Sequence, residues 1–396
     1  MKVFEFINHA SIRAEFNGYS CVTDPWYVSN AFGSWFTCPS PYKSSVFDLI
    51  DSDEYLCVVI SHGHDDHLDD WFIKQHLKDK TFFCSKFETP GLENRLSEDL
   101  QVLTRPIGSS ESFGDFTFRQ FVNPDFTEYD AVITIETPEY VIIHANDNWH
   151  KWPSDMASEI KNISDKYDSD SVFLLIQFGI ADCFPVNYRG FSDDEALSII
   201  ENRFESYLMS TKANMELLGV NHMYYYANQS FFEYKESLVD GFTMYNHAQD
   251  FLSEKGSFFT QLIPGMSVCK GHEVVNQTDS DQPLFRYCLD AFEKFINKRF
   301  VQKCDPKDYI PVRFRTFKED VVEGDINYIA TNEVWNRILI GELTLESIIV
   351  GGSGVIEKPN VNIREHHHFV SKSGYIAQKM IKSGGLCFYR EFSNEA

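Results

Sequence analysis

The sequence has no apolar run approaching the roughly 20 residues that a membrane-crossing helix needs. Its opening, Met1-Lys-Val-Phe-Glu-Phe, enters a strand-like alternation at once and carries no long apolar core of the secretory kind. A cytoplasmic setting is expected. The 9 cysteines are odd in number and fall without paired spacing, which argues against a disulfide framework and for reduced thiols. Basic residues are scarce: 35 Lys and Arg against 59 Asp and Glu leave a formal net charge of −24. That balance argues against a nucleic-acid backbone as the main partner, because such binding needs a basic face. It leaves room for a local basic pocket around one phosphate. No internal repeat, low-complexity tract, Gly-x-Gly-x-x-Gly or Walker loop, or Gly-x-Ser-x-Gly elbow is present. Nucleotide-cradling and serine-nucleophile chemistry lose their usual supports, and a small-molecule substrate is expected.

What is present is a large apolar and aromatic complement. Of 396 residues, 43% are hydrophobic, with Phe 35 and Tyr 19, enough for an aromatic-rich sheet core and against disorder. One stretch carries the chemistry: Cys57-Val-Val-Ile-Ser-His62-Gly-His64-Asp-Asp66-His67-Leu. The run from Cys57 to Ile60 reads as a buried strand, and Leu68 to Leu77 as an amphipathic helix. In an extended turn, side chains two apart point the same way. His62 and His64 can therefore grip one metal ion, while Asp66 and His67 face a second. Imidazole and carboxylate donors suit zinc, iron or manganese.

This His-x-His-x-Asp-His pattern behind an apolar strand resembles the signature of the metallo-β-lactamase superfamily. The opening is similar to one branch of it. A His9-Ala10 pair, a hairpin turning at Asn17-Gly18, then Thr23-Asp24-Pro25-Trp26 resemble the start of the branch that holds ascorbate-phosphate lactonases, N-acyl-phosphatidylethanolamine phospholipase D and the catalytic region of CMP-N-acetylneuraminate hydroxylase. The resemblance implies a four-layer αββα sandwich over residues 1–275. A smaller C-terminal α+β extension is expected over 284–396, beyond the polar, linker-like run Asn276 to Pro283. It implies two divalent metal ions, zinc first, with iron or manganese as alternatives. It places Asp24 behind the metals, orienting the histidines, and lets His9 line the site.

Two departures matter. Where the superfamily presents a third histidine, after the strand Phe116 to Phe121, this chain has Asn123, with Asp125 two residues on. Where a final histidine often ends a strand, it has Ala227-Asn228. An oxygen-richer site would suit iron or manganese better than zinc. Family members place a metal-bridging aspartate on a strand end followed by a loop, and that role carries to Asp147, with His150 in reserve. The expected ligands are thus His62, His64, Asp66, His67 and Asp147, completed by Asn123 or Asp125, with Asp66 also the catalytic residue. The expected function is hydrolysis of a small phosphodiester, ester, amide or lactone, with sugar-nucleotide or lipid-related substrates suggested by the branch. The alternatives are a di-iron oxygenase like the sialic-acid hydroxylase and a binding protein on a decayed metal site. Cys269 and His272 resemble half of an iron–sulfur motif, but no second pair follows. His366-His367-His368 read as a solvated cluster, since adjacent histidines do not converge.

Overall fold

A computed structural model describes residues 1–33, 35–37, 40–51, 55–87, 92–96, 100–124, 130–177, 190–220, 222–226, 258–276, 283–302, 310–359 and 369–377. The chain divides into two compact units: residues 1–27 with 37–279, and residues 28–36 with 280–396.

The first unit is built on two sheets. The eight-stranded sheet contains β1 (Lys2–Asn8), β2 (Ser11–Phe16), β3 (Tyr19–Thr23), β4 (Leu56–Val59), β5 (Thr81–Lys86), β6 (Gln101–Pro106), β14 (Met266–Cys269) and β15 (Val274–Asn276). Their order is β15-β14-β1-β2-β3-β4-β5-β6. The seven-stranded sheet contains β7 (Glu111–Phe113), β8 (Phe116–Val122), β9 (Ala131–Glu136), β10 (Val141–His144), β11 (Val172–Gln177), β12 (His222–Tyr226) and β13 (Phe258–Gln261), in the order β13-β12-β11-β10-β9-β8-β7. The expected hairpin between β2 and β3 forms, with Asn17 and Gly18 both at positive φ, as a tight two-residue turn requires.

Strand periodicity sorts the core into layers. Along β10 and β11, Ile142, Phe173 and Leu175 join Phe4, Phe6, Cys57, Val59 and Phe83 between the sheets. The alternating partners Val141, Ile143, Leu174 and Ile176 face the other way. They meet Ile160 and Ile163 of α4 (Ser154–Ser164) and Phe204, Leu208 and Met215 of α5 (Asp193–Leu218). Aromatic edges lock the inter-sheet layer: Phe4 meets Phe173 and Tyr224 in T-shaped contacts at 6.2 and 5.7 Å. Each large apolar side chain buried fully contributes roughly 1.5–3 kcal/mol. Val58 and Phe82, which alternate with Cys57, Val59 and Phe83 along β4 and β5, are also fully buried. On the helical layer of that sheet, α1 (Lys43–Ile50) buries Val46 and Leu49, and α2 (Asp70–Phe72) with the π-helical turn Ile73–Leu77 buries Phe72 and Leu77. The result is the four-layer αββα sandwich.

Some local readings change. Residues 43–50 form a helix although Tyr42 offers no side-chain cap, so a local start signal is missing. The ligand-flanking helix begins at Asp70, with Asp69 accepting from the Phe72 amide at 2.9 Å. Helix α5 opens on a capping box: Ser192 and Glu195 satisfy each other's backbone amides, and Gly219 ends the helix at φ 69°. A short helix, α3, spans Leu92–Arg95; Thr89 and Pro90 lie outside the described residues.

The second unit holds α6 (Leu284–Val301), α7 (Asn332–Leu339), α8 (Glu346–Ile349) and a three-stranded sheet, β16 (Val312–Arg315), β17 (Ile326–Ala330) and β18 (Gly354–Glu357), in the order β16-β17-β18. Its core joins Phe292 and Trp335 to Phe314, at centroid distances of 5.2 and 4.7 Å. Phe32 and Trp35 belong to this unit, whereas Trp26 and Tyr27 belong to the first. Among the described residues no helix is long and apolar enough to cross a membrane. His366, His367 and His368 lie outside the described residues.

Candidate metal centre

Parallel pairing brings the site together. β3 and β4 run side by side with Thr23 opposite Val59, so Asp24 and the run Ile60-Ser61-His62 leave the sheet at the same end. In the facing sheet, β10 ends at His144 and delivers Asp147 three residues on, while β9 begins next to Asp130. Crevices beyond the carboxyl ends of parallel strands are common ligand sites in α/β folds.

Asp24 is fully buried and organises the histidines. One oxygen accepts from the Ser61 amide and the other from the Ser61 hydroxyl, both at 2.7 Å. The second oxygen also faces His67 Nδ1 at 3.1 Å. Because the Ser61 hydroxyl donates to Asp24, its oxygen is left to accept from His62 Nδ1 at 2.9 Å. One carboxylate thus assigns the proton of both rings to Nδ1 and turns both Nε2 lone pairs toward the cleft, the arrangement found behind metal-bound histidines. The resemblance implied a place for Asp24 behind the ligands; here it contacts Ser61 and His67.

His62 Nε2 then meets His64 Nδ1 at 2.8 Å, Asp130 at 3.4 Å and Asp147 Oδ2 at 3.7 Å. His67 Nε2 meets Asp147 Oδ1 at 3.3 Å and Asp66 Oδ2 at 3.8 Å. His9 Nε2 lies 3.1 Å from Asp66 Oδ2 and its ring is held edge-on by Trp26. Donor atoms converge in three overlapping groups: His62, His64 and Asp130; His62, His67 and Asp147; His9, Asp66 and His67. The two oxygens of Asp147 are split between them, Oδ1 toward His67 and Oδ2 toward His62 and His64. His64 is the outward-facing member, its side chain 39% exposed while those of His62 and His67 are fully buried, so the cleft opens on its side.

The donor chemistry fits divalent cations. Asp66 Oδ1, His67 Nε2, Asp130 Oδ1 and Asp147 Oδ1 are all buried without a hydrogen-bond partner. Such atoms cost free energy unless something satisfies them. Asp24, Asp66 and Asp130 are almost wholly buried and Asp147 nearly so, a density of negative charge that needs counter-charge. Burial and then the Asp147 charge push the Asp130 carboxyl up to about 8. Burial works against a charged His67, yet Asp147 and Asp66 outweigh it and raise this ring well above its usual range. Burial, then the neighbouring imidazoles, holds His62 well below it. A cation in the cleft would do for these groups what protons do only in part.

Backbone strain borders the cluster. His9, Asp24 and Asn146 all have positive φ, at 43°, 37° and 52°. Non-glycine residues hold such angles only when their surroundings enforce them. Asn146 is held by its amide on the Tyr226 hydroxyl at 3.1 Å and by its side chain on the Ala131 carbonyl at 3.1 Å. This fixes the start of the Asp147 loop.

Of the sequence candidates, His62, His64, Asp66, His67 and Asp147 come together, with His9 and Asp24 in contact with them. Asn123 is buried and gives an amide hydrogen to the Lys151 carbonyl at 3.4 Å. Asp125 lies outside the described residues. His150 stacks on Trp149 at 3.6 Å. His222 is engaged with Thr260 at 2.9 Å and stacks on His272, among residues that form no metal-holding group. Asp130 was missed. It precedes β9, whose Ala131 pairs with Val122, so it arrives beside the place of the absent third histidine from the neighbouring strand. Only the tyrosine–aspartate pair opening an apolar strand marks it in the sequence.

No family model matches the chain, and no curated protein matches it. Solved structures with similar layers include CmlA, a diiron β-hydroxylase from Streptomyces venezuelae, at 16% identity and TM-score 0.41, over 70% of this chain. The match spans 54% of CmlA, about half its length. Igni18, a metallo hydrolase from Ignicoccus hospitalis, matches at 14% identity and TM-score 0.39, over 69% of this chain and 98% of its own. The metallo-β-lactamase fold protein YhfI from Bacillus subtilis matches at 11% identity and TM-score 0.39, again over 69% and 98%.

Proposed function

We propose that this chain is a metal-dependent hydrolase that takes a small phosphodiester, ester, amide or lactone. The observation that carries the reading is the split of Asp147 between two donor groups: Oδ1 is 3.3 Å from His67 Nε2, and Oδ2 is 3.7 and 4.0 Å from His62 and His64. In this reading His62, His64 and Asp130 hold one ion, Asp66 and His67 hold another, and Asp147 serves both. Bound ions would supply a water of lowered pKa and polarise the bond under attack. The residues do the rest. Asp24 and Ser61 fix the ring tautomers. His9 anchors one oxygen of Asp66, and the other is left for a proton or water near the reacting atoms. His64, the exposed ligand, marks the side from which substrate enters.

A second reading is a di-iron oxygenase. Asp130 favours it, since it brings a carboxylate to the place where the resemblance gave a third histidine, and oxygen donors suit iron. It requires electrons from an external donor. Hydrolysis requires none, and stands first.

Metal content and a chromogenic screen separate the two. Two zinc or manganese ions per chain, with cleavage of a nitrophenyl phosphodiester or ester that Asp147→Ala abolishes, are expected. Two irons with a visible charge-transfer band would move the assignment to oxygenation. Substoichiometric metal and an unchanged melting temperature in chelator would remove both, because a native-state ligand at a hundred times its Kd adds about 2.7 kcal/mol of stability.

A further inference from the structure

The ligand loop between β4 and α2 has little regular structure of its own. Within it, the His67 amide reaches the His64 carbonyl at 3.1 Å and the Asp69 amide reaches the Pro25 carbonyl at 3.0 Å. Two other carbonyls of the loop, those of Gly63 and Leu68, flank His64, Asp66 and His67, and both accept from one side chain. Arg95, at the end of α3, donates from Nη1 to the Gly63 carbonyl and to Asp65 at 2.8 Å. From Nη2 it donates to the Leu68 carbonyl at 3.3 Å and to Asp70 at 2.9 Å. The loop reaches α3 closely at Gly63, where a side-chain carbon would lie 3.4 Å from the Leu92 backbone.

We propose that Arg95 is a positioning residue that holds the His62–His67 run in its ligating shape before any ion arrives. This rests on the metal-site reading above. A planar guanidinium makes four contacts in one rigid fork, spanning the loop from Gly63 to Asp70. Its charge is matched by Asp65 and Asp70, which are thereby engaged outside the ligand set. Its bonds go to the loop and not into the cleft, so it is not a substrate-binding cation. A loop already ordered loses less conformational freedom when it binds, and that gain appears as affinity.

The test uses the full chain, Arg95→Met and Arg95→Lys, with zinc or manganese ion alone as the probe in a chelator competition. Metal affinity should fall about 10- to 100-fold in Arg95→Met, the range seen when supporting groups around metal ligands are removed. The rise in melting temperature on adding metal should shrink with it. Arg95→Lys should fail to rescue, because a point charge cannot span both carbonyls. Should Arg95→Met not fold, Asp65→Asn and Asp70→Asn loosen the same fork. Equal loss of melting temperature with and without metal, at unchanged affinity, would reduce Arg95 to a structural residue. Hydrogen exchange of the amides of residues 63–68 in metal-free protein separates the two readings. Faster exchange in Arg95→Met supports the clamp even if the wild type binds no metal, whereas unchanged exchange overturns it.

Discussion

Asp24 carries more of the site than any single ligand. Its two oxygens serve a backbone amide, a hydroxyl and an imidazole, and through them set the lone pairs of His62 and His67. Asp24→Asn keeps the size but replaces one acceptor oxygen with a donor. Metal affinity in chelator competition should fall about 10- to 100-fold, with the fold retained by circular dichroism. Asp130 supplies a different test. Asp130→Ala should weaken one of two ions at least about 10-fold and spare the other, because its contact is with His62 and not with His67. Elemental analysis after graded dialysis distinguishes the two sites. The motif residues were legible at this scale because four candidate ligands fall within six positions. Asp130 was not, because its place depends on which strand lies beside β8.

Elements with local signals were readable, and those held by tertiary contacts were not. The capping box and terminal glycine of α5 are local, as is the Asn17-Gly18 turn. Helix α1 has neither cap nor length, and exists because Val46 and Leu49 find a buried face. The turn into β14 shows a second kind of constraint. Gly265 has φ 91°, its amide donates to the Phe6 carbonyl at 2.9 Å, and a side-chain carbon there would lie 2.8 Å from the Tyr42 ring. Gly265→Ala should cost about 1–3 kcal/mol in urea unfolding, through backbone strain and the displaced ring. The Pro264-Gly265 pair was visible in the sequence, and its steric reason was not.

At the scale of the molecule, the two sheets are bridged by a buried histidine. His144 reaches the Ala10 carbonyl, in the turn between β1 and β2, at 2.9 Å and the Tyr226 hydroxyl of its own sheet at 3.1 Å. Burial lowers its pKa from 6.5 to about 4. The unfolded chain therefore takes this proton first as pH falls. The stability it contributes is full above about pH 6.5 and is lost progressively toward pH 4, by about 3 kcal/mol. Other buried histidines titrate nearby, so the measurement is comparative. His144→Gln should unfold with a flatter dependence on pH than the wild type between pH 7 and 4.5. An identical slope would assign the acid lability elsewhere.

The sequence by itself determined the apolar strands, their alternation, the hairpin, the long helix and the cluster of four candidate ligands from His62 to His67. Each of those rests on neighbours within a few residues, where periodicity and turn chemistry act. The tertiary structure alone decided that Asp130 closes on His62, that residues 28–36 join the second unit, and that Arg95 grips the ligand loop. Those contacts join residues far apart in the chain, and strand order, which no short stretch of sequence encodes, brings them into register.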